Sequence, residues 1–234
     1  MSQPAAYKRE QDDGQPPYLY PAYRSTVTRA PRQPLVPLVQ TLSEITGPIY
    51  GHNKVGPTDN DLTQQYSGEP LGERIIVLGR VMDMAGKPLS NALIEIWQAN
   101  SAGRYRHDAD THPAPLDPNF GGGGRCATDS DGRYRFVTIK PAAYPWGNNP
   151  NAWRPAHIHF SLFGPAFATR LVTQMYFPGD PLFDDDPMPK SIPDPAARQR
   201  LIAKLDMDNT EPEWALAYQF DIVLRGRSAT PIES

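Results

Sequence analysis

Residues 74–99 read RIIVLGRVMDMAGKPLSNALIEIWQA, and their pattern decides the fold class. Residues 74–83 form a run rich in β-branched and apolar side chains, which reads as a strand. The segment 84–90, MAGKPLS, has turn chemistry, with Gly86 and Pro88 each breaking regular structure. A second strand-like run, NALIEIWQA, follows at 91–99.

The same scheme repeats downstream. In ATDSDGRYRFVTI (127–139), the DSDG piece is a turn and Tyr134, Phe136 and Ile139 follow with strand-like spacing. AHIHFSLF (156–163) and TRLVTQMYF (169–177) read as two more strands, and ALAYQFDIVLRG (215–226) as a closing one. PDPAARQRLIAKL (193–205) has a proline–acid start and helical spacing of Leu201, Ile202 and Leu205, which predicts one late α-helix. Many short strands with one late helix argue for a mainly β protein, an antiparallel β-sandwich over 71–234.

Residues 1–70 differ in character. They are rich in Pro, Gln and Tyr, and the stretch 16–35 is expected to form neither helix nor central strand. The expectation is an extended N-terminal arm that packs on this chain or a neighbour, with one short helix around QTLSEITG (40–47).

Composition narrows the partners. Of 234 residues, 23 are Lys or Arg and 26 are Asp or Glu, so the net charge is −3 and no basic run suggests nucleic acid. The 27 prolines are roughly twice the usual share of about 5%, and they sit mainly between the apolar runs. One cysteine, Cys126, excludes an internal disulfide and a zinc–thiolate cluster. No apolar run reaches the roughly 20 residues that span a bilayer, and the polar start is not a signal peptide; a cytoplasmic protein without a membrane partner is expected.

Chemistry concentrates in WRPAHIHF (153–160). Strand side chains alternate, so His157 and His159 share one face and form half of a metal site. Alone, the pair reads better as one satisfied core histidine and one surface histidine. Two tyrosines stand out by context, Tyr105 in NSAGRYRH and Tyr144 in KPAAYPWGNNP, each in a loop beside a strand. Spacing does not identify either as a ligand. His107 and His112 lie in a polar, turn-rich stretch and are read as surface residues. Asp184, Asp185 and Asp186 are read as a solvated loop or a place for a hard cation.

The stretches ERIIVLGRVMDMAGKPLSNALIEIWQANSAGRYRH, LDPNFGGGGRCATDSDGRYRFVTIKPAAYPW and WRPAHIHF resemble the intradiol ring-cleaving dioxygenases, over about residues 20–225. Within that family the likeness is strongest to two-chain members that act on protocatechuate (3,4-dihydroxybenzoate). The resemblance implies one non-haem Fe(III) per chain, held by Tyr105, Tyr144, His157 and His159. Two phenolates, two neutral imidazoles and one solvent-derived anion cancel the ferric charge, which suits a buried centre. It further implies cleavage of the aromatic diol by O2 to 3-carboxy-cis,cis-muconate, with Tyr144 leaving the metal and taking up a substrate proton while Tyr105 stays.

By the same resemblance, Arg154 stabilises charge on the activated ring and Gln174 lies near the ligands. Tyr23 and Met188 match family positions that contact the substrate. Trp97 and Trp146 read, as bulky aromatics, either as walls of an aromatic slot or as core packing. A homologous, metal-free α subunit is the expected partner. Two rival readings share many of these residues: a catechol or hydroxyquinol 1,2-dioxygenase with the same iron site, and a non-enzymatic transthyretin-like β-sandwich binding module.

Overall fold

In the computed structural model, residues 13–36, 55–163 and 171–233 are described. Eleven strands are present among them: β1 (Arg74–Met82), β2 (Leu93–Trp97), β3 (Gly123–Ala127), β4 (Arg133–Ile139), β5 (Tyr144–Pro145), β6 (Trp153–Arg154), β7 (His157–Phe163), β8 (Leu171–Tyr176), β9 (Lys204–Glu211), β10 (Ala215–Gln219) and β11 (Ile222–Val223). Three short helices accompany them, α1 (Ser25–Arg29), α2 (Pro187–Lys190) and α3 (Pro195–Gln199).

The strands form two main sheets. In the first, β1 is flanked by β4 on one side and by β10 and then β11 on the other, with β9 outside β10. In the second the order is β3-β2-β7-β8, all antiparallel. The core lies between them, filled by Ile75 and Val77 of β1, Phe136 of β4, Ile94 and Ile96 of β2, and Ile158, Phe160 and Leu162 of β7. The sandwich is therefore mainly antiparallel, but β10 and β11 run parallel to β1.

The closing strand is interrupted. β10 ends at Gln219, and Phe220 N–H donates to Leu78 O at 2.8 Å before β11 resumes beside β1. At the gap, the Asp221 carboxylate accepts from Arg80 N at 2.9 Å, replacing the lost ladder bond. The loss of register thus leaves no orphaned donor there.

Three expectations need correction. The late helix stops at Gln199 instead of continuing to Leu205. Tyr176 N–H donates to Leu201 O and Ala203 N–H to Tyr176 O, so the backbone there pairs with β8. Beyond it the chain forms β9, in which Leu205 is 48% exposed. Second, α2 adds another short late helix. Third, α1 occupies part of the stretch expected to lack helix, because no proline interrupts it between Pro21 and Pro31. The helix expected at 40–47 lies outside the described residues.

Of the stretch read as an arm, residues 13–36 lie along the chain's own sandwich. Asn148 accepts from Arg24 N at 2.8 Å and donates to Ala22 O at 2.9 Å, and Asp194 N donates to Asp13 O at 2.9 Å. Leu62 is fully buried within the core cluster, a burial that stabilises by about 1.5–3 kcal/mol.

Candidate metal centre

Strand alternation makes the site. On β7, Ile158, Phe160 and Leu162 enter the core, which turns His157 and His159 to the opposite face of the sheet. That face is also buried. Across the ladder His159 faces Trp97 of β2 and Gln174 of β8, while His157 faces Tyr176. The Trp97 and His159 rings stack with centroids 4.7 Å apart and 6° between planes.

Tyr105 and Tyr144 reach the pair from two loops. Asn100 Oδ1 accepts from Ala102 N and Arg104 N, both at 2.9 Å, and Asp110 Oδ2 accepts from Tyr105 N at 2.8 Å, which fixes the first loop. Gly103, at φ +76°, presses against the Ala143 carbonyl just before Tyr144, where a Cβ would clash. Tyr144 lies on β5, which pairs with Arg154 of β6.

The four side chains converge. Tyr105 Oη lies 3.2 Å from His159 Nε2, Tyr144 Oη lies 3.3 Å from His157 Nε2, and the two Nε2 atoms are 3.2 Å apart. The two phenol rings meet edge to face at 5.3 Å. Each imidazole has its other nitrogen engaged: His157 Nδ1 donates to Pro155 O at 2.7 Å, and His159 Nδ1 to Glu233 Oε2 at 3.1 Å. The two Nε2 atoms therefore face inward, toward each other and the phenols. Ligands about 2.1 Å from a shared ion stand about 3 Å apart when adjacent, so the spacing suits one cation.

Electrostatics favour the same use. Burial pushes the Tyr105 phenol well above its ordinary 10.0, and the neighbouring Tyr144 adds to the rise. Burial raises Tyr144 as well, although Arg154 pulls it back. Two phenolates here would need a strong local positive charge, of the kind a bound metal cation supplies. Burial, with Arg154 and His159 beside it, holds His157 well below 6.5, leaving a neutral ring able to ligate. Among the described residues no group of three His, Cys, Asp or Glu side chains is arranged for a metal, so the phenols are indispensable to this donor set.

Arg154 is held from several sides. Its Nε donates to Asp186 Oδ2 at 2.9 Å, and its NH2 donates to Gln174 Oε1 at 2.6 Å and Tyr176 Oη at 2.9 Å. NH1 lies 3.3 Å from His157 Nε2, and the guanidinium covers the Trp146 ring at 5.3 Å. Burial opposes the charge, but Tyr176 and Asp186 outweigh it and hold Arg154 protonated.

The donors open onto a cleft of ≈ 720 Å³ walled by Trp97, Tyr105, Tyr144, Pro145, Trp146 and His159, with His107 and His112 farther along it. Tyr23 reaches this region through Trp146, 5.5 Å away between ring centroids. Met188 is buried on α2, behind the Asp186 that caps that helix. Neither lines the cleft. His107 is exposed.

Sequence reasoning missed three residues that support the centre. Asp186 is fully buried on Arg154, while Asp184 and Asp185 are exposed, so the solvated-loop reading fits only the first two. Tyr176 could have been found by its spacing of two from Gln174 on the facing strand. Glu233 stands 74 residues from His159, with no local signal.

Comparison with known proteins gives the lineage. The family described as "Dioxygenase" matches residues 45–226, and "Protocatechuate 3,4-dioxygenase beta subunit N terminal" matches 7–41. The protocatechuate 3,4-dioxygenase beta chain of Burkholderia cepacia is 61% identical over 220 residues, covering 93% of this chain and 93% of that one. Catechol 1,2-dioxygenase 2 of Acinetobacter lwoffii is 34% identical over 61% of this chain and 53% of its own. Among solved structures, 3-chlorocatechol 1,2-dioxygenase from Rhodococcus opacus 1CP superimposes with a TM-score of 0.56 at 26% identity, covering 72% of this chain and 65% of that one. The chain belongs to the intradiol dioxygenases, in the family of protocatechuate 3,4-dioxygenase beta chains.

Proposed function

We propose that this chain is the iron-bearing half of a two-chain dioxygenase that opens the ring of protocatechuate between its two hydroxyl-bearing carbons. The observation that carries the reading is the convergence of Tyr105 Oη, Tyr144 Oη and the two Nε2 atoms at separations of 3.2–3.3 Å. These residues would hold one non-haem Fe(III), which when bound supplies a Lewis acid that draws off phenolic protons and readies the ring for O2.

The chain's own residues divide the remaining work. Tyr105, anchored through Asp110, is the permanent phenolate. Tyr144, on a two-residue strand at the cleft wall, accepts a proton from the incoming diol. Arg154 keeps a fixed positive charge beside the ring as it becomes electron-rich, and Gln174 helps to fix its direction. Trp97 and Trp146 confine an aromatic ring between flat walls. Tyr23 acts through Trp146, and Met188 through the seating of Asp186.

The described residues lining the cleft include no Lys or Arg. Arg154, behind Trp146, is already engaged by Asp186, Gln174 and Tyr176, so a substrate carboxylate has little free positive charge to meet on the walls this chain supplies. That favours a homologous, metal-free α subunit at the cleft mouth, with the arm contributing to the contact. O2 uptake tests the reading: the chain is produced with and without its partner and given protocatechuate or catechol. Protocatechuate turnover that requires the partner is expected. Turnover of catechol alone, by the isolated chain, would assign it instead to the catechol 1,2-dioxygenases.

A further inference from the structure

We propose that Glu233 is a positioning residue for the metal, and that its seating joins the N-terminal arm to the centre; this rests on the iron reading above. Glu233 Oε2 lies 3.1 Å from His159 Nδ1. That contact keeps the ring proton on Nδ1, turns the Nε2 lone pair inward and makes the imidazole a stronger donor. His159 has a second constraint, the stacked Trp97 ring, which fixes its plane but not which nitrogen is protonated. The carboxylate does what the stack cannot.

Glu233 is held there by an added length of backbone. Its N–H donates to Val172 O at 2.8 Å, and Thr173 Oγ1 donates to Pro231 O at 2.6 Å, so residues 231–233 lie along β8. The arm closes over this segment: Ile232 N donates to the Gln15 side chain at 2.8 Å. Pro16, Pro17 and Tyr18 line a small hollow together with Ile232 and Glu233. The connection from arm to ligand is thus Gln15, Ile232, Glu233, His159. Docking of the arm and tight holding of the metal become one event.

The test uses the full chain co-produced with its partner, as wild type, Glu233→Ala, Glu233→Gln and Gln15→Ala. Three readouts are taken: iron retention against a chelator, the visible absorption of the ferric phenolate, and melting of the metal-stripped protein. Glu233→Ala is expected to hold iron about 10–100-fold more weakly, the usual cost of losing such an outer partner. Glu233→Gln, which retains an acceptor oxygen without the charge, is expected to lose less affinity and to move the absorption to longer wavelength. Gln15→Ala should lose iron faster than wild type with an unshifted band. The metal-stripped proteins should melt together. Wild-type affinity and an unshifted band in Glu233→Ala would overturn the proposal, and so would iron loss matched by collapse of the metal-stripped fold. A wild type that takes up no iron would overturn the metal reading itself.

Discussion

His157 and His159 share a face because a strand repeats every two residues, and this was legible in three letters of sequence. The two phenols were not: Tyr105 sits in a loop and Tyr144 on the two-residue β5, too short for periodicity to carry information, and only resemblance pointed to them. Their roles separate experimentally. Tyr105→Phe and His159→Ala are each expected to lose iron, measured as metal per chain. Tyr144→Phe should retain the metal yet bind the diol about 100-fold more slowly or worse in stopped-flow mixing, the scale of a lost proton acceptor. Full-speed binding would refute that role.

Asp186 shows what sequence could not reach, since three consecutive acids look alike until one is buried. Its carboxylate carries both the Arg154 ion pair and the α2 cap, accepting from Met188 N at 2.9 Å. Asp186→Asn would leave the Arg154 charge buried and underpaired. A destabilisation of about 3–5 kcal/mol by denaturant unfolding is expected, with a loss of turnover. Unchanged stability would remove Asp186 from the site's support.

At the scale of elements, short β-branched and apolar runs between turn residues made β1, β2, β4 and β7 readable, although β7 buries both of its faces. The late segment misled for a physical reason. The spacing of Leu201, Ile202 and Leu205 mimics a helix, but Leu201 packs with Tyr176 and Phe183, and the backbone there bonds to β8. Tertiary pairing outweighs a local period. The parallel joining of β10 to β1 had no signature at all, since non-local register is invisible to local pattern. It depends on a close approach at Gly79, where a Cβ would lie 2.7 Å from the Phe220 carbonyl carbon and 3.0 Å from Tyr134 Oη. The Tyr134 hydroxyl donates to that same Phe220 carbonyl. Gly79→Ala is therefore expected to cost about 3 kcal/mol or to separate the strands, read by thermal melting. A melting temperature within a degree of wild type would contradict this packing account.

At the scale of the whole molecule, the sandwich holds His157 and His159 on one strand, β7, and Tyr105 and Tyr144 reach them from outside the two main sheets. Cys126 lies inside the sandwich, its thiol pushed up to about 12 by burial, which leaves it unreactive at neutral pH and outside the chemistry. No helix among the described residues is long and apolar enough to cross a membrane. The arm, legible only as a change in composition, packs on this chain's own loops and helix end, from Asp13 at the α3 cap Asp194 to Arg24 at the loop residue Asn148.

The central claim is that one trivalent iron is bound by two phenol oxygens and two imidazole nitrogens of a single chain. Anomalous diffraction at the iron edge, on crystals of the chain grown with its partner, tests it most directly. One peak per chain is predicted, within coordination distance of Tyr105 Oη, Tyr144 Oη, His157 Nε2 and His159 Nε2. No peak there in iron-replete protein, or a peak with either phenol turned away, would contradict it.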